Sequence, residues 1–437
     1  MGRYWQNCRR GLTLPNLGLN LTSITDHYTS MQLIKAQLLR HSADQNVRNV
    51  WQLKADKEEK MTRHFKVSKL YKTSAAQVKL NLLFPTQNSR QGLGNGNFKA
   101  EPTTAETRKL ISNTARGFAE DKRMQHAQGL AQQGAWTAWQ DGIAPFDLSW
   151  KNLIYGPGPH IIKFVLNATV NWVKTPDTMR TWGYKRTAFC PLCKHPHCTL
   201  HHIISHCPHA LNGGRYTWRH DSVLLHLKPI LQELIHQANT KPADNTILPI
   251  ASSFVRNGEK APRTPKRSRT TLLDGATDWK ILVEIGKDKI VYPPEICSTS
   301  KRPDIVIWSN QLKRVINIEL TCPAEEGIEA AQIRKEARYF NLKCSAKDRK
   351  WKSEVATLEV GARGFVARTV PRILKRLGRG PRQIRTDIKN VSNIAARCTY
   401  TIYLARESTN WDINRELLTK ESLNGNLMVK AKSDEGQ

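Results

Sequence analysis

Acid is what this chain has least of. Asp and Glu number 37 against 68 Lys and Arg, giving a formal net charge of +31 with the 14 His counted neutral. An excess of this size marks a polyanion partner, and nucleic acid is the commonest. Long apolar runs are missing too: none approaches the roughly 18 residues that span a bilayer. No sustained basic amphipathic stretch carries a Trp/Leu face that would lie on a membrane, so no membrane partner is expected. The opening segment MGRYWQNCRRGLTLPNLGL lacks the apolar core of a secretory signal. No internal repeat is found. Nine cysteines, an odd number with four of them clustered, argue against a disulfide framework and for a reducing interior. A chain of 437 residues that is 39% hydrophobic can build cores. On a prior of about 150 residues per domain, it should hold about two to four of them.

The cluster is CPLCKHPHCTLHHIISHC, Cys190 to Cys207. Cys190 and Cys193 are spaced to sit on one tight turn, and His202 and Cys207 follow at a spacing that can close a tetrahedron around Zn²⁺. Cys198, His201, His206 and His209 are nearby spares, and Cys190, Cys193, His202 and His206 form an alternative set. Cys207 is preferred because its thiolate would otherwise stand idle beside the metal. Four protein ligands leave no open position, so the zinc site reads as structural.

Periodicity predicts a helical N-terminal portion. A helix from Ser23 as N-cap to about Arg40 should bury Ile24, Tyr28, Met31, Ile34 or Lys35, and Leu38. A charged helix follows over about Asn49–Ser74, then the Gly/Asn/Gln-rich linker Phe84–Phe98. Two Ala- and Gln-rich helices are predicted at about Thr103–Phe118 and Glu120–Trp139. Another begins after Gly156-Pro157-Gly158-Pro159, with Ile161, Phe164, Val165 and Ala168 on one face. An amphipathic helix opens at Arg219-His220-Asp221, where a charged helix start is the plain reading. The basic, proline-containing run PRTPKRSRT lies in the linker Arg256–Thr271. It is a candidate nuclear localisation signal or backbone-contacting arm, and with the charge it points to the nucleus.

From Trp279 the pattern turns to short β-rich runs. KILVEI and IVY around Gly286-Lys287-Asp288 predict one hairpin, and DIVIW (Asp304–Trp308) with RVINIEL (Arg314–Leu320) predict another. EVATLEV, ending at Val360, predicts a further strand. Ala324–Tyr339 and Val370–Leu377 predict helices, and helix is favoured after Val391.

Antiparallel partners share a constant index sum. A turn near Gln311 and Leu312 gives a sum near 623, which sets Asp304 opposite Glu319. Facing carboxylates repel unless a cation neutralises them. Mg²⁺ accepts such a pair together with water and phosphate oxygens, and can stabilise a phosphate under attack. Unrelated acids at strand ends would show the same spacing. A PD-(D/E)xK nuclease expects Lys two residues after the second acid, where this chain has Thr321. Lys335 and Tyr339 share a helix face with Ile328 and Gln332, and that face can carry the ammonium back to the acids.

Four features now stand in order: the C-C-H-C knuckle, Arg219-His220-Asp221, Arg302-Pro303-Asp304, and Glu319-Leu320-Thr321-Cys322-Pro323 with the Lys335–Tyr339 helix. Together they resemble the C-terminal part of non-LTR retrotransposon proteins that carry a restriction-like endonuclease, over roughly Trp150–Arg406. The helical region before it is similar, more loosely, to the thumb and linker that follow the polymerase there. The resemblance implies an α/β PD-(D/E)xK nuclease with Asp304 and Glu319 as Mg²⁺ ligands and Lys335 as the migrated catalytic lysine, with Tyr339 on the same helix. It implies that the knuckle and Arg219, His220 and Asp221 grip target DNA or element RNA. It also implies a nick whose 3′-hydroxyl primes reverse transcription. No polymerase palm and no YADD-like strand are present, so this stretch should not copy RNA by itself: it reads as a truncated element or reverse transcriptase fragment, a gene-model fragment, or a nuclease part split from a separate reverse transcriptase.

Between Gly361 and Lys389 lie Arg363, Arg368, Arg372, Lys375, Arg376, Arg379, Arg382, Arg385 and Lys389 against Asp387 alone. Such a stretch reads as a phosphate-tracking surface that positions DNA without reading it. The expectation is therefore an α+β multidomain chain: a helical thumb-like region (1–84), a helical linker region (99–185), and the CCHC zinc knuckle with its Arg-His-Asp helix (186–228). A basic linker (229–275), the nuclease-like domain (276–410) and a tail (411–437) complete it. Two other functions fit the same sequence: a catalytically silent nucleic-acid-binding remnant, and a zinc-stabilised interaction module, which the charge fits poorly.

Overall fold

The computed structural model describes residues 23–40, 42–52, 104–130, 134–139, 142–144, 158–240, 271–286 and 290–412. They belong to two compact units, residues 1–137 with 147–152, and residues 138–146 with 153–437. The chain is a mixed α+β protein built from several helices and a small four-stranded sheet.

The first unit pairs α1 (Ile24–Arg40) with α2 (Thr104–Gln128), with residues 45–52 also helical. Ser23 caps α1 as its sequence predicts, its hydroxyl accepting from the Asp26 N–H at 3.4 Å. The buried face is not the predicted one. Ile24, Tyr28 and Met31 are exposed, while Ser30 and Leu33 are buried and Leu33 packs on Ile111 and Ala115 of α2. A stripe of apolar residues offers a face, but the partner helix chooses which face it covers. The two helices expected between 103 and 139 are one helix, α2, followed by a 3₁₀ turn at Ala135–Trp139. Gly117 near their junction does not end it, since a lone glycine costs about 1 kcal/mol, whereas the second predicted helix stops at Gln128, before Gly129 and short of Trp139. The predicted linker Phe84–Phe98, most of the helix at Asn49–Ser74, nearly all of the basic linker Arg256–Thr271, and most of the 411–437 tail lie outside the described residues.

The second unit holds α3 (Pro159–Thr169), α4 (Pro176–Thr181), a π-helical turn (His202–His206), α5 (Pro208–Asn212) and the long α6 (Arg215–Thr240). Pro159 opens α3 at a position where its missing N–H costs nothing, and Ile161, Phe164 and Ala168 are buried as their spacing predicts. The sheet follows in the order β1 (Lys280–Val283), β2 (Ile305–Ser309), β3 (Arg314–Thr321), β4 (Lys352–Glu359). β1, β2 and β3 are antiparallel, and β4 lies parallel to β3 after a crossover through α7 (Ile328–Arg338) and α8 (Phe340–Asp348). α9 (Thr369–Arg376) and α10 (Pro381–Leu404) complete the unit.

The two sheet faces carry different cores. Ile305, Ile307, Ile316, Ile318 and Leu358 point to one side and pack with α6, α9 and α10. Val306, Trp308 and Val315 point to the other, with Tyr339, Leu342 and Trp351. Gly364, at φ +100°, is required where the chain crosses α10, because a Cβ there would meet Ser392 O at 2.8 Å.

The second hairpin forms in the predicted register: Ile305 pairs with Ile318 and Trp308 with Val315, each summing to 623. Asp278 fixes it, its carboxylate accepting from the Ser309 hydroxyl and from the N–H groups of Asn310 (2.9 Å) and Gln311 (3.0 Å) across the turn. The first predicted hairpin does not form. Ile290–Tyr292 is not a strand, and β1 pairs with β2 instead. Pro293 and Pro294 follow at once and supply no N–H for a ladder, while Tyr292 is buried and donates to Asn317 Oδ1 at 3.0 Å.

Candidate functional site

A Cys₃His cluster is assembled by one short stretch of chain. The turn after Cys190 closes with Lys194 N–H donating to Cys190 O (2.9 Å) and Cys190 N–H to His195 O (2.8 Å), with Lys194 in the left-handed region at φ +59°. This presents Cys190 and Cys193 together. The π-helical turn brings His202, and Cys207 follows at its end. The ligand atoms of Cys190, Cys193, His202 and Cys207 all lie within 4.8 Å of one another. Cys193 Sγ is 3.3 Å from His202 Nε2, and Cys190 Sγ is 4.0 Å from Cys207 Sγ. His206 is not among them; it stacks on His201 at 4.1 Å. Cys198 is buried beside the cluster, and burial pushes its thiol well up.

The donor set suits a soft or borderline cation such as Zn²⁺. Burial, then the neighbouring histidines, holds His202 down to about 4, so its ring is neutral and its lone pair available. Burial pushes Cys207 up to about 11. Burial also acts on Cys190, but the N–H groups of Cys193 and Leu192 outweigh it and bring that thiol below its ordinary value. Tyr216 of α6 braces the cluster from behind, its Oη accepting from Cys207 N–H (3.0 Å) and lying 2.9 Å from Ile203 O.

The second candidate centre sits at one end of the sheet. Asp304 N–H donates to Glu319 Oε2 at 3.3 Å, so the two acids stand side by side where the register puts them. Asp304 Oδ2 accepts from Leu320 N–H at 2.7 Å. From α7, Lys335 Nζ pairs with Glu319 Oε1. Tyr339 Oη lies 2.8 Å from Glu319 Oε2 and 2.9 Å from Arg302 O. Burial and the Glu319 charge raise the Tyr339 phenol far above its ordinary value, so it stays a donor. The four residues singled out by register and helical period converge on one spot.

Three further groups stand there: His220, expected to grip nucleic acid rather than an acid; Glu284, which was not singled out; and Thr321 with its strand neighbour Glu359. His220, from α6, has Nδ1 2.9 Å from Asp221 Oδ1 and Nε2 3.3 Å from Asp304 Oδ2. Burial alone would lower its pKa, but the hydrogen bonds to Asp221 and Asp304 raise it well above the ordinary value, so the ring is an imidazolium. Glu284 N–H donates to Asp304 O at 2.8 Å, which extends the β1–β2 ladder by one residue and aligns a third acid. Its buried Oε2 has no hydrogen-bond partner among the described residues. Thr321, where a lysine is expected, pairs in register with Glu359 of β4. Thr321 Oγ1 and Glu359 Oε1 are also buried and unpartnered among the described residues. The index sum of β1 and β2 could have found Glu284. Nothing in the local sequence pointed to the other contacts.

Around Asp304, three carboxylates (Asp221, Asp304 and Glu319) face two cations (His220 and Lys335). These groups form one hydrogen-bonded network, and among the described residues the Cys₃His cluster is the group of three or more ligand atoms that gathers closely enough to hold a metal ion.

Several residues expected to hold nucleic acid are committed elsewhere. Arg219 is buried and donates to Cys322 O (2.7 Å), Ile204 O (3.0 Å) and Thr399 Oγ1 (3.0 Å). Arg363 is buried between Glu325 and Glu326, donates to Ala168 O, and stacks 4.9 Å from the Trp139 ring centre. Gly361 must be glycine beside it, since a Cβ would fall 2.3 Å from Glu325 Oε1. Neither guanidinium can reach a phosphate. Asp221 is buried, and Arg379 is bridged to Asp387 (2.8 Å) and Glu233 (2.7 Å). Arg376 pairs with Glu354, and Arg368 Nε donates to Ile143 O. Arg372 and Lys375 are exposed on α9, opposite its buried Val370, Ile373 and Leu374; Arg382 and Arg385 are exposed on α10. The cationic stretch thus divides into buried structural arginines and a shorter exposed row. Among the described residues, no helix is long and apolar enough to cross a membrane. Scans of the chain against models of protein families and against curated proteins find no match.

Proposed function

We propose that this chain is a Mg²⁺-dependent DNA endonuclease of the PD-(D/E)xK kind. It would act in the nucleus, nicking target DNA so that a separate reverse transcriptase can prime on the 3′-hydroxyl, as in the retrotransposon proteins it resembles. The observation that carries this reading is the convergence of Lys335 of α7 and Tyr339 at its C-terminal end on the Glu319 that stands beside Asp304.

Asp304 and Glu319 are the residues that would hold the ion. When bound, Mg²⁺ offsets charge on the scissile phosphate and favours ionisation of water. Lys335, which pairs with Glu319 in the structure, would neutralise the phosphate oxygens as negative charge builds on them. Tyr339 holds Glu319 in place through its hydroxyl. Water attacks phosphorus, the P–O3′ bond breaks, and the proton goes to the 3′ oxygen, leaving a 3′-hydroxyl and a 5′-phosphate. The exposed row with Arg372, Lys375, Arg382 and Arg385 would track the DNA backbone. A structural Zn²⁺ in the Cys₃His cluster would hold the lobe that carries α6.

One observation favours the silent-binder reading. His220 and Lys335 already neutralise Asp304 and Glu319, so the acids have partners without a metal. Single-turnover nicking of supercoiled plasmid in Mg²⁺ separates the two. The enzyme reading expects wild type to nick and Asp304→Ala to be inert while binding DNA with nearly unchanged affinity. Equal activity in both places the cleavage elsewhere.

A further inference from the structure

The residues Arg219-His220-Asp221 point, through their contacts, to a role other than gripping nucleic acid. Both nitrogens of His220 are taken by carboxylates, so its ring has no donor left for a phosphate. Asp221 holds the ring from behind through Oδ1, and its Oδ2 accepts from Gly286 N–H at 3.2 Å just beyond β1. Arg219, one residue earlier on α6, grips Cys322 O just after β3 and Ile204 O inside the π-helical turn of the Cys₃His lobe.

We infer that His220, held by Asp221, is a positioning residue for Asp304, and that α6 thereby completes the acidic centre from the Cys₃His lobe. This rests on the endonuclease reading of Asp304 and Glu319. The geometry is specific about the oxygen. His220 Nε2 and the Leu320 N–H both reach Oδ2 of Asp304, at 3.3 and 2.7 Å. A carboxylate oxygen held by two donors is fixed in rotation, and Oδ1, which accepts no hydrogen bond among the described residues, is left to meet a cation. Orienting contacts of this kind set ligand geometry, and removing one weakens metal affinity by about 10–100-fold. The same arrangement explains why a zinc lobe and a nuclease centre belong to one unit. The segment from Ile204 to Asp221 is anchored at one end by the cluster and delivers its imidazole to the acid at the other.

The test is Mn²⁺ binding by the full, zinc-loaded chain, followed by electron paramagnetic resonance, with single-turnover nicking measured across Mn²⁺ concentration. His220→Ala should raise the Kd for Mn²⁺ about 10-fold or more, with the rate largely recovered at saturating Mn²⁺. His220→Gln, whose amide N–H can replace Nε2–H, should recover most of the affinity. Asp221→Asn should weaken binding less than His220→Ala does. Zinc content and the melting temperature report whether each variant is folded. If His220→Ala does not fold, the Gln and Asn variants decide: Gln as weak as Asn at position 221, or both like wild type, overturns the inference. Unchanged Mn²⁺ affinity in folded His220→Ala overturns it, as does a gain, which would mean the imidazolium only competes with the ion. Asp304→Ala separates the two levels. If it binds Mn²⁺ as wild type does, the endonuclease reading fails and this inference falls with it.

Discussion

The Cys₃His cluster and the acidic centre lie in one unit and are built in opposite ways. The first is drawn from 18 consecutive residues, Cys190 to Cys207, and its three sulfurs and neutral imidazole lie within 4.8 Å of one another. The second collects Asp304 and Glu319 from one hairpin, Lys335 from α7 and Tyr339 from its end, and His220 from a helix 84 residues earlier, and two side-chain cations already pair with its acids. A local, soft, closed cluster suits a metal that folds the chain. A long-range cluster of hard donors, partly neutralised, is what the proposed endonuclease reading would need for an ion that comes and goes with a substrate. The difference teaches where each kind of site can be damaged: the first by loss of a ligand, the second by loss of an orientation.

The sharpest way to break this contrast is to remove a ligand from each centre. Cys193→Ser should release one Zn²⁺ per chain and unfold the lobe around it. Structural zinc sites contribute on the order of 10 kcal/mol or more of folding free energy, whereas Asp304→Ala should leave the fold and the zinc in place. Elemental analysis and thermal melting check both, and a zinc-free, fully folded wild type would contradict the first half. Next in size is Arg363→Ala, which strands Glu325 in the interior and should cost about 3–5 kcal/mol of stability, read by urea unfolding. Lys335→Ala should slow nicking by about 10²-fold with the fold intact. Adding Thr321→Lys to Lys335→Ala should restore part of that rate in single-turnover assays, because residue 321 lies two along β3 from Glu319 and so shares its strand face. The smallest effect divides the cationic stretch itself. Arg372→Ala with Lys375→Ala should leave the melting temperature unchanged yet lower the salt slope of DNA binding by up to about two units, one for each phosphate that is no longer neutralised. An unchanged slope would remove α9 from the proposed DNA path.

Features set by short spacing or by an alternating strand were legible in the sequence. The knuckle ligands follow from one turn and one helical step, and the pairing of Asp304 with Glu319 follows from a single sum, because a two-stranded register has one free parameter. The Lys335–Tyr339 face was legible for the same reason, as a helix has a fixed period. Burial of charge was not. Arg219 and Arg363 look like their exposed neighbours in sequence, and what makes them structural is the set of acceptors at Cys322, Ile204, Glu325, Glu326 and Ala168 that surround them. The contact of His220 with Asp304 depends on how α6 lies against the sheet, which no local pattern records. IVY carried strand propensity but no partner, since β2 was already flanked by β1 and β3.

One unit holding two cation centres of different chemistry is the central claim, and anomalous X-ray diffraction from crystals of the zinc-loaded protein soaked in Mn²⁺ tests it most directly. The expected result is a peak at the zinc edge among Cys190, Cys193, His202 and Cys207, and a separate peak at the manganese edge between Asp304 and Glu319. Zinc at the cluster with no manganese at the acids would leave the silent binder standing, and manganese at the acids of an Asp304→Ala crystal would contradict the assignment of that ligand.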